Sequence, residues 1–145
     1  MLIATTALML LAIYRINIAF DERARQAAAA RVAEDHRAAQ AQLRETAQCR
    51  LDARCWGQRH SANATIACSR SVDLAAKYAT RWPSGLFNPA FLNWAWRDQN
   101  AGTLVYVGRV ELQNGFGAWA PYIVGCLFDT TSGTVTGLEL QPGRL

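Results

Sequence analysis

The sequence predicts an α+β protein, with an N-terminal transmembrane helix, a long helical stalk, and a small domain that combines a helix with about four antiparallel strands. Three observations lead to this fold class. Residues 1–20 form an apolar run, and residues 21–48 contain neither glycine nor proline. β-rich runs separated by turn residues follow in 49–145, which also holds all four cysteines and is expected to be disulfide-stabilised.

The first segment, residues 1–20, is expected to be a membrane anchor. Twenty helical residues span roughly 30 Å, which is about the thickness of the hydrocarbon core of a bilayer. Its single charged residue, Arg15, lies near one end, where a long side chain reaches the headgroups. No basic residue precedes the run and no convincing Ala-x-Ala site follows it. An uncleaved anchor is therefore preferred to a cleaved signal peptide or a buried soluble helix.

The orientation of this anchor is contested within the sequence. The positive-inside rule would keep Arg15, Arg23 and Arg25 in the cytoplasm. Disulfide formation requires an oxidising compartment and would place the cysteines outside. Few basic residues favour the first orientation, so the cysteines are given more weight. We therefore expect a single-pass protein of the bacterial inner membrane with its C-terminal domain in the periplasm.

The second segment, residues 21–48, is expected to be a continuous helix because alanine, glutamine, arginine and glutamate dominate it. Val32 and Leu43 are its only large apolar residues, whereas a two-stranded coiled coil needs regular apolar positions. Two interpretations stay open. The segment is either a solvated stalk or a helix that self-associates, or meets a partner, through its alanine faces.

The third segment, residues 49–145, begins with the end of that helix. Trp56-Gly57 is expected to break it, and Ser61 is expected to cap a second helix. Pro83-Ser84-Gly85 is expected to end the second helix. The apolar face of this helix at 3.6-residue spacing consists of Cys68, Val72, Ala75, Ala79 and Trp82.

The remaining chain has a two-residue period that is typical of strands. Leu92, Trp94 and Trp96 alternate with polar or small residues, and Phe91 and Ala95 are expected on the opposite sheet face. Glycine- and asparagine-containing turns separate the later strands. In order, the expected elements are a turn at 100–102, a strand at 103–112, a turn at 114–117, and a hairpin of strands 122–129 and 134–141.

The cysteines are expected to form disulfides rather than a zinc site. Structural zinc ligands usually lie two to four residues apart in pairs, whereas here five, twelve and fifty-seven residues separate successive cysteines. Of the three possible pairings, Cys68 with Cys126 would tie the helix to the sheet and leave Cys49 with Cys55. The second bridge requires the first helix to end near Leu51–Arg54, because bridged Cα atoms lie within about 7 Å.

No residue pattern reaches a catalytic signature, so we expect no enzyme, no cofactor and no metal. Cys55 and His60 resemble a thiol–imidazole pair, but oxidation would remove the thiol. The acids Asp98, Glu111 and Glu139 are scattered over strands rather than paired for glycoside hydrolysis. With a net charge of +4 and basic residues dispersed along the chain, a nucleic-acid interface is not expected.

The aromatic residues are the best candidates for a binding surface. Trp94 and Trp96 share one strand face, so they either fill the core or form an exposed interface. Phe116 and Trp119, in and just after the turn at 114–117, are the second choice.

Several of these residues belong to a longer motif, whose parts are Cys55–Gly57, Arg81-Trp82, Gln113–Trp119, Tyr122, Cys126, Phe128-Asp129, Gly133 and Pro142–Leu145. The motif resembles a group of small, uncharacterised proteobacterial envelope proteins. The resemblance covers roughly the last two-thirds of the chain. It implies a fold, and it implies no catalytic residues.

Together these observations predict a non-enzymatic, membrane-tethered periplasmic subunit that docks onto a larger envelope assembly. Its expected partners are the membrane and other membrane or periplasmic proteins. The alternative is a module that binds a small ligand or a cell-wall glycan on the Trp94/Trp96 face.

Overall fold

The structure, a computed structural model, describes residues 2–83 and 89–145, with the side chains of residues 2–14, 16, 17 and 19 left outside the description. It has the predicted α+β architecture, and the chain divides into two compact units, Met1–Thr46 and Ala47–Leu145. The described helices and strands are α1 (Leu2–Leu51), α2 (Ala53–Ala75), β1 (Thr80–Arg81), β2 (Phe91–Asp98), β3 (Thr103–Gln113), β4 (Trp119–Asp129) and β5 (Thr134–Pro142).

The expected anchor is residues 1–20, and most of its side chains lie outside the part of the chain that the structure describes. Its backbone is helical from Leu2 onward, within α1. Where side chains are described, no helix is both long enough and apolar enough to cross a membrane.

The junction between the two helices lies at Asp52, not at Trp56-Gly57. Asp52 has an extended backbone, with φ −108° and ψ 116°, and its Oδ1 accepts a hydrogen bond of 2.8 Å from the backbone N–H of Arg54. A carboxylate at this position satisfies a backbone donor of the first turn of α2, which favours helix initiation there. The predicted break at Trp56-Gly57 and the predicted cap at Ser61 are therefore wrong, since both sites lie inside α2.

Helix α2 also ends earlier than its apolar pattern predicts. Its last residue is Ala75, and Ala76 is already extended, so Ala79 and Trp82 are not on the helix. Trp82 follows the helix and contacts it through a hydrogen bond, in which its Nε1–H donates to Oδ1 of Asp73 on α2 at 2.9 Å. The buried residues of α2 are Gly57, Ala64, Cys68 and Val72.

All five described strands belong to one antiparallel sheet in the order β1-β3-β4-β5, with β2 also paired to β3. The turns at Gly102, Gly117 and Gly133 have positive φ, as the glycine-rich turn sequences predict. The two-residue strand β1 was not expected, because a two-residue segment is too short to show a strand period. The core between α2 and the sheet consists of Ala64, Cys68, Val72, Phe91, Leu104, Tyr106, Val110, Val124, Cys126 and Phe128.

Strand β2 contains an irregularity that changes which side chains share a face. The pairing with β3 shifts between Phe91 and Asn93, and Phe91 then lies opposite Gly108 while Trp94 lies opposite Tyr106. Partners two residues apart on β3 share a sheet face, so Phe91 and Trp94 face the same side. The expectation that Phe91 lies on the face opposite the tryptophans is wrong, because one extra residue inverts the alternation.

Both predicted disulfides form. Cys49 and Cys55 are bridged with their Cα atoms 5.2 Å apart, and this requires the helix break at Asp52, as the sequence argument demands. Cys68 on α2 and Cys126 on β4 are bridged with a Cα separation of 6.0 Å. The second bridge therefore joins the helix to the middle of the sheet.

Candidate functional site

The first candidate surface, the face with Trp94 and Trp96, packs against helix α2. A Cβ atom built on Gly57 would lie 1.9 Å from Cδ1 of Trp94, so the indole occupies the space that a side chain at position 57 would need. The Trp94 ring centroid lies 5.7 Å from that of Tyr106, and its Nε1–H donates to the carbonyl of Arg54 at 3.3 Å. Trp94 thus fills a gap between the sheet and the helix.

Trp96 is also half-buried beside the core. Its Nε1 is buried and has no hydrogen-bond partner among the described residues. An exposed aromatic ladder is therefore not the arrangement that this face presents. Trp94 and Trp96 are half-buried, so neither presents the flat, open ring on which a sugar would stack.

The second candidate surface is the hairpin tip, residues 114–117, between β3 and β4. Oδ1 of Asn114 accepts hydrogen bonds of 3.0 Å from the backbone N–H groups of Phe116 and Ala118. Gly117 has φ 82°, a conformation that favours glycine, and its carbonyl accepts from Nε2 of Gln113 at 3.1 Å. These bonds hold the tip in one conformation.

Phe116 is the most exposed large apolar residue of the described chain, with 98% of its surface accessible. The tip that carries it is supported from one side, because a Cβ atom on Gly115 would lie 2.8 Å from the hydroxyl oxygen of Tyr78. The backbone of Gln113 also bonds to the carbonyl of Ala79 at 2.9 Å. The fold therefore presents an aromatic ring to solvent from a braced turn.

Trp119, the fourth interface candidate, is partly covered by a cation. The guanidinium of Arg81 lies 4.0 Å from the centroid of its ring, which is a cation–π contact. Arg81 also forms an ion pair of 3.2 Å with Glu111. Of the four aromatic candidates, Phe116 alone is fully open to a partner.

The residues considered for catalysis do not form a site. The sulfur of Cys55 is bonded to Cys49, so it provides no thiol for His60 to activate. Asp98 accepts a hydrogen bond from the backbone of Ala101, and Glu111 pairs with Arg81 as described above. In the described ranges, no three histidine, cysteine, aspartate or glutamate side chains are close enough to hold a metal ion.

His60 lies in a partly buried position beside Trp56, with ring centroids 4.7 Å apart. Its Nε2 is buried without a hydrogen-bond partner among the described atoms. Burial lowers the pKa of His60 from 6.5, and the charge of Arg59 lowers it further. Folding therefore disfavours the protonated imidazole relative to the unfolded chain.

This environment predicts an acid-side loss of stability. The unfolded chain binds a proton at His60 near pH 6.5, before the folded chain does, so the free energy of unfolding falls as the pH drops below that value. Urea unfolding at pH values between about 8 and 5 measures the slope. His60→Leu should flatten the slope in this window, and an unchanged slope in the variant would show that His60 is not its source.

The sequence patterns did not predict a third surface, a groove between α2 and the start of β5. The groove has a volume of about 500 Å³ and is lined by Asn63, Ile66, Ala67, Arg70, Ser71, Leu74 and Gly133–Val135. Ile66 is 70% exposed and Leu74 is 79% exposed. The helical spacing indicates their exposure. Ile66 and Leu74 each follow a buried residue of α2, Ala64 or Val72, by two positions, and at about 100° per residue they point away from the buried face.

Compared with known proteins, the chain matches no family model, no curated protein and no solved structure.

Proposed function

We propose that this chain is a non-enzymatic accessory subunit of the bacterial envelope that docks onto another envelope protein through its hairpin tip. Residues 1–20 tether it to the inner membrane, and the disulfide-linked C-terminal part lies in the periplasm. The observation that carries the proposal is the complete exposure of Phe116 on a turn that side-chain hydrogen bonds hold in place.

The energetics of docking favour such a residue as an anchor. Aromatic side chains are enriched at protein interfaces, and a few well-packed residues contribute most of the binding free energy. A ring on a braced turn loses little conformational entropy when it binds, which lowers the cost of association. Nothing in the surrounding fold requires Phe116 for packing, since its side chain is almost wholly in solvent.

The apolar run of residues 1–20 and the two disulfides support the proposed location. An apolar helix of that length suits a bilayer, and disulfides persist in an oxidising compartment such as the periplasm. The stalk at 21–48 offers a second contact, self-association through its alanine faces. Its two large apolar side chains, Val32 and Leu43, are exposed and available for that contact.

Replacing Phe116 with serine should weaken docking by about 2 kcal/mol or more, because the variant removes the aromatic anchor. Folding stability should change by less than about 0.5 kcal/mol, because the side chain is exposed. A photo-reactive amino acid at position 116 of the full-length chain, irradiated in cells, identifies the partner. The affinity of the purified partner for Phe116→Ser then measures the loss.

Two controls make this experiment decisive. The same photo-reactive residue at Asn100, in the exposed turn between β2 and β3, should give no comparable adduct. Leu51→Ser, at a residue 75% exposed near the helix junction, should leave docking unchanged. An adduct to lipid alone, a cytoplasmic partner, or equal losses for Phe116→Ser and Leu51→Ser would each contradict the proposed function.

A further inference from the structure

A cavity of about 350 Å³ is formed where β1 and the residues after β5 meet β3 and β4. This volume lies within the range of small-molecule sites in proteins. The charged residues that line the cavity are Arg81, Arg109, Glu111 and Arg144. Among the described lining residues, the arginines exceed the glutamate by two positive charges, so the cavity attracts an anion.

Strand pairing brings three of these side chains together. Arg81 on β1 lies opposite Glu111 on β3, and Arg109 precedes Glu111 by two positions on the same strand. Residues two apart on a strand point to the same sheet face. Val110, which lies between them, is buried in the core, so Arg109 and Glu111 point to the sheet face away from α2.

The guanidinium of Arg81 is held by two neighbours. It lies 4.0 Å from the ring centroid of Trp119, and its Nη1 donates to Oε2 of Glu111 at 3.2 Å. The bond to Glu111 uses one of the five N–H donors of the guanidinium. Because the side chain is already positioned, it loses little conformational entropy when it binds a ligand.

Arg144 reaches the cavity from the residues that follow β5. The backbone N–H of Gly143 donates to the carbonyl of Pro121 on β4 at 3.0 Å, which fixes the backbone next to Arg144. Arg144 is exposed, and neither of the two ion pairs found among the described residues involves it. Its guanidinium can therefore turn to a ligand without breaking either of these pairs.

A phosphate monoester matches this lining in charge and in hydrogen-bonding capacity. At neutral pH it carries about −1.5 to −2 charges and presents three acceptor oxygens, whereas a carboxylate carries one charge and two oxygens. The planar guanidinium of arginine donates two parallel hydrogen bonds to phosphate oxygens. Apolar residues also line the cavity, and these include Trp82, Pro83, Val110 and Pro121. They favour a monoester with an organic group over inorganic phosphate.

We propose that this cavity binds a small organic phosphate monoester, whose phosphoryl oxygens accept hydrogen bonds from Arg81 and Arg144. Arg109 adds positive charge, and the apolar lining residues contact the organic group. The site uses none of the residues of the hairpin tip, so the proposal is independent of the docking function of Phe116.

Three probes test the proposal, because they separate the phosphate group from the organic group: phenyl phosphate, inorganic phosphate and benzoate. Isothermal titration calorimetry of the disulfide-intact protein, in a non-ionic detergent and a phosphate-free buffer, measures each affinity. A pH of about 7.5 keeps the monoester doubly charged. We expect phenyl phosphate to bind saturably with a Kd of about 1 mM or lower, and the other two probes to bind about tenfold more weakly.

Two variants of the lining should change the affinity in opposite directions. Arg144→Gln should weaken the binding of phenyl phosphate about tenfold, since it removes a charge-assisted hydrogen bond. Glu111→Gln should tighten the binding about threefold, because it removes a negative charge beside the phosphate. The increase is the more informative result, since a variant that merely disturbed the cavity would lower the affinity.

Arg97→Gln is the matched control, since it removes the same charge from an exposed arginine on β2. Its neighbour Trp96 is paired with Leu104 on β3, five positions before Arg109. At about 3.4 Å per residue, this separation is roughly 17 Å along the strand. The variant should therefore bind phenyl phosphate as the wild-type protein does.

Four results would each overturn the proposal. These are a titration with phenyl phosphate that does not saturate, equal or tighter binding of benzoate or inorganic phosphate, equal losses for Arg144→Gln and Arg97→Gln, and a lower affinity for Glu111→Gln. Circular dichroism of each variant confirms that the fold is retained.

Discussion

Replacing Cys68 and Cys126 together with alanine should lower the free energy of unfolding by about 4 kcal/mol. The bridge joins residues 58 positions apart in the chain, and in the chain-entropy model it restricts the unfolded chain more than a short cross-link does. Both cysteines are fully buried between α2 and β4, so loss of the sulfur atoms also leaves space in the core. Urea unfolding of the variant against the oxidised protein measures the difference.

The second disulfide provides a matched comparison. Cys49 and Cys55 are separated by 6 positions, so the same model assigns their bridge about 2 kcal/mol. The double alanine variant at these positions should therefore be the more stable of the two. Equal losses, or a larger loss at Cys49 and Cys55, would show that the helix–sheet bridge is not the main covalent constraint of the fold.

Tyr106→Ala should lower the free energy of unfolding by about 3–5 kcal/mol. Tyr106 lies on β3, is fully buried, and has three aromatic neighbours among the residues that the structure describes. Its ring meets those of Phe91 and Phe128 edge-on at centroid distances of 6.4 Å and 6.1 Å, and it lies 5.7 Å from Trp94. The alanine variant removes the centre of this cluster, and thermal or urea unfolding shows the loss.

Tyr106→Phe separates the ring from the hydroxyl group. The hydroxyl donates to the carbonyl of Gly57 at 2.8 Å, so the phenylalanine variant should lose about 1 kcal/mol, from one buried hydrogen bond. Burial also raises the pKa of Tyr106 from 10.0 to about 12. The wild-type protein should therefore lose stability as the pH rises from about 10 to 12. A phenylalanine variant as unstable as the alanine variant would contradict the packing argument.

The parts of the fold that local chemistry specifies were predictable from the sequence. The turn at 114–117 has a side chain that bonds to its own backbone and a glycine at positive φ, and both are properties of the turn residues themselves. Pairing Cys68 with Cys126 left Cys49 with Cys55, and the short distance that a disulfide spans then required a helix end near Leu51–Arg54. The hairpin of β4 and β5 followed from two β-rich runs around a glycine-containing turn.

The parts that depend on distant residues were not predictable. Gly57 looks like a helix breaker, yet it lies inside α2, because Asp52 provides a better start and Trp94 needs the space beside Gly57. The irregularity at the start of β2 exists only in its pairing with β3, so the alternation along β2 gave no sign of it. The full exposure of Phe116 is likewise a tertiary property, since the sequence shows a phenylalanine in a turn and not what covers it.

Because Gly57 contacts Trp94, substitutions at these two positions are expected to be coupled in evolution. A side chain at position 57 collides with the indole, so substitution of the glycine is tolerated only after the tryptophan has become smaller. Loss of the tryptophan first leaves a gap, which a larger residue at position 57 then fills. Lineages that descend from this sequence should therefore keep the pair together or exchange both members, in the order tryptophan first and glycine second.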